Sequence, residues 1–177
     1  KIRQVYASDI EAFRIGILSK GISKATVNRV MASLSHFYTH AQMNRWVHRK
    51  PYQTANYKED FKARDKVAPE HQTALLLAAK RPDQHPMIYL FLLIGFGVGM
   101  RHSEILNIRW ENIDWKTGYI WLPNTKTGPR EQPTTKVILD ELAALSEQRG
   151  EQTGFVFSSS KSASGRIDRM NKPFRRV

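Results

Sequence analysis

Two amphipathic helices are predicted near the start of the chain, because apolar side chains recur there every three or four residues. In the first helix the apolar face comprises Ile10, Phe13 and Ile17. Ser8 and Glu11 have the spacing of a capping box, and Gly21 is placed to end this helix. Ser23 is placed as the N-cap of the second helix. The apolar positions of the second helix are Val27, Val30, Leu34, Phe37 and Ala41.

A polar stretch separates these helices from a second apolar region. Residues 56–68 have no hydrophobic period, which indicates a connecting segment. We therefore predict a helical domain at 1–60, a linker at 61–68 and a second domain at 69–177, with Pro69 as the first residue of a helix. The run MIYLFLLIGFG at 87–97 has about half the length that a bilayer span needs, so it predicts a buried helix and no membrane segment.

The second half of the chain combines helical and β-type patterns. The runs YIWLP at 119–123 and PTTKVIL at 133–139 are rich in β-formers and are joined by NTKTGPREQ, which predicts a hairpin. A helix is predicted at 140–148 and a short strand at FVFS, 155–158. The predicted fold class is mainly α with a small antiparallel β-sheet.

Charge favours a polyanionic partner. The 177 residues include 28 Lys and Arg against 16 Asp and Glu, a formal net charge of +12. Residues 1–66 hold 13 basic and 5 acidic side chains, and no acidic residue lies between Glu11 and Glu59. Nucleic acid is the first candidate and an anionic membrane the second, with a merely solvated helix face as the alternative. The absence of cysteine excludes disulfides and fits a reducing cytoplasm.

The first turns of the second predicted helix carry short polar and basic side chains. These are Lys24, Thr26, Asn28 and Arg29. Such groups suit phosphates and base edges, so we predict that they contact double-stranded DNA.

Arg101 follows the most apolar run of the chain, in GVGMRHSEIL at 97–106. A buried guanidinium is costly unless an anion meets it. The nearby glycines do not make a dinucleotide fingerprint, because the third glycine positions hold Met100 and His102, and we predict no cofactor. His36 and His40 are four residues apart but have no third ligand, so we predict no metal site.

Two motifs resemble the signatures of tyrosine recombinases, the phage-type integrases. The first is the Gly-x-Arg-x-x-Glu turn at 99–104, followed by Leu106, Trp110 and the Asn-Ile-Asp turn at 112–114. The second is the TKTG hairpin with Lys126, followed by Arg130 and Pro133. The segment ISKATVNRVMASLSHFYTHAQMNRW at 22–46 is similar to the helical core-binding domain of this family.

The resemblance implies a helical core-binding domain followed by an α-rich catalytic domain that breaks and rejoins DNA. Arg101 would bind the scissile phosphate, Glu104 would support it, and Lys126 would protonate the leaving 5′ oxygen. Arg130 would join the residues that contact DNA. The implied reaction passes through a covalent 3′-phosphotyrosine without a metal, and the implied assembly is a homotetramer on DNA in the cytoplasm of a bacterial host.

The chain departs from the family pattern in one respect. It contains no His-x-x-Arg box, and its six tyrosines lie in the wrong part of the pattern to be the nucleophile. We therefore expect a fragment of a longer recombinase that is inactive alone. The alternative is a DNA-binding module that does not catalyse, either a truncated integrase remnant or a basic helical regulator.

Overall fold

The chain divides into two compact units, Lys1–Asp65 and Lys66–Val177. The computed structural model describes residues 4–52, 55–59 and 66–177. The division falls within the predicted linker, of which residues 61–65 lie outside the described residues.

The first unit contains α1, Ala7–Ser19, and α2, Lys24–Met43. The Ser23 hydroxyl accepts a hydrogen bond from the backbone N–H of Thr26 at 3.3 Å, so the predicted N-cap of α2 is confirmed. The predicted capping box of α1 is wrong, because the helix already begins at Ala7. The carboxylate of Asp9 accepts the backbone N–H of Tyr6 at 2.8 Å and takes the place of the predicted pair.

The buried face of α2 is rotated relative to the predicted stripe. Val27 and Ala41 are fully buried, as predicted. Phe37, however, is 48% exposed, whereas its neighbour Tyr38 is 2% exposed, so the prediction for Phe37 is wrong. Tyr38 packs edge to face on Tyr52 with ring centroids 6.0 Å apart, and this distant contact decides which of the two adjacent aromatic residues is buried.

Asn28 is turned inward and attaches the segment at 57–59 to α2. Its side chain belongs to a residue that is 8% exposed. The amide nitrogen donates to the carbonyl of Tyr57 at 2.9 Å and to the Glu59 carboxylate at 2.8 Å. The amide oxygen accepts the Tyr57 N–H at 2.9 Å. These bonds use both ends of the amide, so the structure does not place Asn28 on the predicted DNA-facing surface.

The second unit is built mainly from helices. They are α3 at Pro69–Ala79, α4 at Ile88–Val98, α5 at His102–Leu106, α6 at Lys136–Arg149 and α7 at Asn171–Phe174. Pro69 opens α3 as predicted. The predicted buried helix is α4, whose residues Ile88, Leu90, Leu92 and Ile94 are all buried. None of the helices in the described part of the chain has the length and hydropathy needed to cross a bilayer.

A small antiparallel sheet completes the second unit, in the order β1-β2-β3. The strands are β1 at Ile113–Asp114, β2 at Tyr119–Leu122 and β3 at Arg130–Pro133. The predicted fold class, mainly α with a small antiparallel sheet, is thus confirmed. Leu122 pairs with Arg130 and Ile120 pairs with Gln132. Because Ile120 and Leu122 are buried, Arg130 and Gln132 lie on the covered face of the sheet.

Two predicted strands are wrong. The run at 133–139 is the end of β3 followed by the start of α6, and the Thr135 hydroxyl caps α6 by accepting the Ile138 N–H at 3.4 Å. Ile138 and Leu142 are four residues apart and both are fully buried, which is helical and not strand spacing. The run at 155–158 forms only isolated bridges, Arg109 with Phe155 and Ser158 with Arg166.

Replacing Asn28 with alanine should destabilise the chain. The variant leaves the backbone N–H and C=O of Tyr57 without the partners that the amide supplies, which costs about 1–3 kcal/mol. Urea unfolding of the wild type and Asn28→Ala measures this difference, and Asn56→Ala, which removes an exposed amide, is the matched control. Equal stability of the two variants would contradict the role assigned to Asn28.

Candidate active site

A sharp turn carries the chain from α4 to Arg101. Gly99 ends α4 in the left-handed conformation with φ of +64°, which favours glycine. Arg101 follows in an extended conformation as the N-cap of α5. Its side chain is 52% exposed, so the turn brings the guanidinium out of the apolar run.

The charge that is buried at this turn is Glu104, which is 4% exposed. One carboxylate oxygen, Oε1, accepts a hydrogen bond from Arg101 Nη1 at 2.8 Å. The other, Oε2, accepts the backbone N–H of Arg101 at 3.0 Å and Arg130 Nη2 at 2.9 Å. A single buried carboxylate is therefore shared by two guanidinium groups, one at the start of α5 and one on β3.

The pKa of Glu104 is lowered from 4.5 to about 2. Burial alone raises the pKa, because it penalises the charged form. The hydrogen bonds from the Arg101 backbone, the Arg130 side chain and the Arg101 side chain outweigh burial, and the charge of Arg130 lowers the pKa further. Glu104 is thus a structural anion that holds two cations and not a proton donor at neutral pH.

Arg130 and Gln132 stand side by side on β3 and reach the turn. Arg130 Nη1 donates to Gln132 Oε1 at 2.5 Å. Gln132 Nε2 donates to the carbonyl of Val98, the last residue of α4, at 3.4 Å. The side chain of Arg130 is 34% exposed. The structure therefore brings Arg130 into the cluster around Glu104.

Lys126 lies in the connection between β2 and β3 and is exposed. The hydroxyl of Thr125 accepts the Thr127 N–H at 3.3 Å and donates to the carbonyl of Gly128, so the turn folds around Lys126. The groups that contact Glu104 come from Arg101 and Arg130, so Lys126 is outside that cluster. Its chain neighbours nevertheless lead directly into Arg130.

The predicted DNA-contacting residues of the first unit lie at the start of α2. Lys24, Thr26 and Arg29 are exposed, whereas Asn28 is buried. These three exposed residues surround the N-terminal turn of the helix, where backbone N–H groups point outward. The arrangement suits a polyanion.

Comparison with known protein families identifies the second unit. The phage integrase family model matches residues 66–176, the region that carries Arg101, Glu104, Lys126 and Arg130. This chain belongs to the phage integrase family.

Three relatives show how far the likeness of this integrase-family chain extends. A shufflon-specific DNA recombinase from Escherichia coli is 36% identical over 55 residues, which are 30% of this chain and 14% of that protein. The Tn1549 transposon integrase in complex with circular intermediate DNA has a TM-score of 0.71 and 19% identity, over 90% of this chain and 59% of that one. A lambda integrase tetramer bound to a Holliday junction has a TM-score of 0.73 and 18% identity, over 98% and 52%.

These values define what the likeness shows. The two structural matches are low in identity and show the fold of this integrase-family chain. The chain spans a little over half the length of the two integrase chains.

Several residues of the family motif have structural roles in this integrase-family chain. Trp110 is 2% exposed and stacks on Trp115 with ring centroids 6.5 Å apart. The carboxylate of Asp114 accepts the N–H groups of Lys116 and Thr117 at 2.9 and 3.1 Å and so closes the turn between β1 and β2. Both residues shape the sheet beside the Arg101 turn.

Sequence reasoning missed two residues at the site. Gln132 follows Arg130 at the two-residue spacing of a strand face, and this spacing could have indicated that both side chains point the same way. His102 Nε2 accepts the backbone N–H of Met170 at 3.3 Å, and no signal in the sequence links residues so far apart. His102 thereby holds the segment before α7 against α5.

Replacing Glu104 with glutamine should lower stability in a pH-dependent way. Because the folded-state pKa is depressed from 4.5 to about 2, the charged carboxylate stabilises the fold above pH 4.5, by about 3 kcal/mol. This contribution is lost as the pH falls from 4.5 to 2. Urea unfolding from pH 7 to pH 2 should therefore show a large difference between the wild type and Glu104→Gln at neutral pH that shrinks toward pH 2.

Glu131→Gln is the matched control for this experiment, because Glu131 is the neighbouring glutamate of β3 and is exposed. This variant should follow the wild type within about 0.5 kcal/mol throughout. A pH-independent difference for Glu104→Gln would contradict the proposed compensation of the buried charge.

Proposed function

We propose that this chain is part of a tyrosine-type site-specific recombinase that integrates DNA by phosphodiester cleavage and rejoining. The proposed intermediate is a covalent 3′-phosphotyrosine whose nucleophile lies outside this chain. In this proposal the first unit is the core-binding domain and the second is part of the catalytic domain. The observation that carries the proposal is the half-exposed Arg101, anchored by a buried carboxylate in a chain of the phage integrase family.

Arg101 is suited to bind the scissile phosphate. Its Nη1 is held by Glu104, and the exposed remainder of the planar guanidinium presents further N–H donors. A guanidinium matches two phosphate oxygens at once, which the point charge of a lysine does not. Charge develops on these oxygens in the transition state, so a donor that is already oriented lowers the barrier. Glu104 supports this role by fixing the orientation.

Lys126 is the proposed general acid. It is exposed on a turn whose following residues enter β3, the strand that carries Arg130. An ammonium group at such a position can donate a proton to a leaving 5′ oxygen. The reaction proposed here needs no metal or other cofactor.

The proposed partner is double-stranded DNA. The exposed Lys24, Thr26 and Arg29 at the start of α2 support this, together with the net charge of +12. The Tn1549 and lambda integrases with which the fold is shared are complexes with DNA, and the latter is a tetramer. By analogy we propose that the parent protein assembles as a homotetramer on DNA, in the cytoplasm of a bacterial host.

Replacing Lys24 and Arg29 together with alanine should weaken DNA binding by this chain. Two lost phosphate contacts should lower the slope of log affinity against log salt by about 2. Fluorescence anisotropy with a labelled duplex at several salt concentrations measures both quantities. The double variant Lys116→Ala and Lys161→Ala removes the same charge from exposed positions of the second unit and is the control. Identical salt slopes for the two double variants would contradict the proposed surface.

Replacing Arg101 with lysine in the full-length protein should abolish most DNA cleavage and leave DNA binding largely intact. Lysine keeps the charge but loses the bidentate contact, so we expect cleavage to fall about a hundredfold or more. Lys126→Ala should also cleave slowly, for a different reason. A substrate with sulfur at the 5′ bridging position needs no proton on its leaving group, so it should rescue Lys126→Ala and not Arg101→Lys.

Two results would contradict this assignment of roles. Equal rescue of both variants, or rescue of neither, would show that Arg101 and Lys126 do not divide the work as proposed. DNA binding by the full-length wild type without cleavage would favour a DNA-binding module that does not catalyse.

A further inference from the structure

The covered face of β3 spans the turn that presents Arg101. Arg130 and Gln132 are two residues apart on this strand, opposite the buried Leu122 and Ile120 of β2. Glu131, between them, is exposed on the opposite face. Two polar side chains thus lie on the covered face of the sheet, where polar groups need partners.

Each of these two side chains binds one side of the turn. Gln132 donates to the carbonyl of Val98, before the turn, at 3.4 Å. Arg130 donates to the carboxylate of Glu104, after the turn, at 2.9 Å. Arg130 also donates to Gln132, so the two contacts are joined. The result is a closed set of hydrogen bonds around the segment that contains Arg101.

Glu104 needs Arg130 to keep its charge in place. Oε1 is bound by Arg101 Nη1 alone among the described groups, whereas Oε2 is bound by the Arg101 backbone and by Arg130. Removing Arg130 leaves a buried carboxylate with fewer donors, which favours its protonated form. A neutral Glu104 attracts the guanidinium of Arg101 less strongly, so the orientation of Arg101 loosens.

We propose that Arg130 and Gln132 are positioning residues that hold Arg101 through Glu104 and Val98, and that Arg130 is not a DNA contact. This inference rests on the proposed function, in which Arg101 binds the scissile phosphate. β3 also begins directly after the turn that carries Lys126. The same two residues therefore set the root of the Lys126 turn against the Arg101 turn.

The contacts of Arg130 favour positioning over DNA binding. Its Nη2 is bound to a carboxylate and its Nη1 to an amide oxygen, and two-thirds of its side chain is covered. A guanidinium that contacts DNA lowers the salt dependence of binding when it is removed. A positioning guanidinium changes the cleavage step and leaves the salt dependence as it was.

The experiment compares Arg130→Gln, Arg130→Lys and Gln132→Leu with the wild type in the full-length protein. Arg81→Gln removes an exposed arginine that pairs only with Asp83 among the described residues and serves as the control. We expect Arg130→Gln to cleave about tenfold more slowly or worse, with DNA affinity within about twofold and an unchanged salt slope. Arg130→Lys should recover part of the rate, since it keeps a donor for Glu104. Gln132→Leu should be intermediate.

The pH profile adds a readout that a purely structural role does not move. Without Arg130 the pKa of Glu104 rises from about 2 toward or above 4.5. Cleavage by Arg130→Gln should therefore fall more steeply between pH 7 and pH 5 than cleavage by the wild type. His102 lies on α5 in all of these proteins, so its effect is common to them. Parallel pH profiles, or a lower affinity with a lower salt slope, would overturn the proposal.

Unfolding of the present chain tests the contact with Glu104 independently of catalysis. The urea midpoints of the wild type and Arg130→Gln should differ by a constant amount above about pH 5, and the difference should shrink toward pH 2 as the wild type loses its charged carboxylate. A full-length wild type that does not cleave DNA refutes the proposed function. A midpoint difference that does not change with pH refutes the link between Arg130 and Glu104.

Discussion

The candidate site depends on one buried carboxylate that two guanidinium groups share. Glu104 is 4% exposed, and a carboxylate in that position is unfavourable unless donors compensate its charge. The donors come from two places in the chain, Arg101 at the start of α5 and Arg130 on β3. The charge is therefore compensated only when the helix turn and the sheet are assembled together, which joins local folding to the geometry of the site.

The shared carboxylate leaves Arg101 in an unusual position for a cation that follows an apolar run. One edge of the guanidinium is anchored to Glu104, while the side chain as a whole is half exposed. An anchored and exposed donor needs little reorganisation when charge develops on a bound group. The family membership of the second unit gives this arrangement its chemical meaning, because a phosphodiester is the anion that such a fork fits.

The basic first unit and the family-matched second unit make different contributions. In the first unit, the exposed Lys24 and Arg29 flank a buried asparagine that holds neighbouring backbone in place. Residue type alone did not separate these roles, since all three looked equally suited to DNA. Burial separates them, because an amide with both ends bonded inside the protein has no capacity left for a ligand.

The sequence by itself determined the elements whose signals are local. Helical periodicity located α1 and α2, the Ser23 cap located the start of α2, and continuous hydrophobicity located the buried α4. It also determined the motif around Arg101 and Glu104, because these residues lie within one helical turn. Local signals failed where one residue type serves two structures, as in the β-branched run that begins α6 and is helical.

Only the tertiary structure decided the contacts between distant parts of the chain. It selected Tyr38 over Phe37 for the core through Tyr52, and it turned Asn28 toward Tyr57. It also brought Arg130 to Glu104 across 26 residues. Such contacts follow from which strand pairs with which and which face is covered, and no pattern of nearest neighbours contains that information.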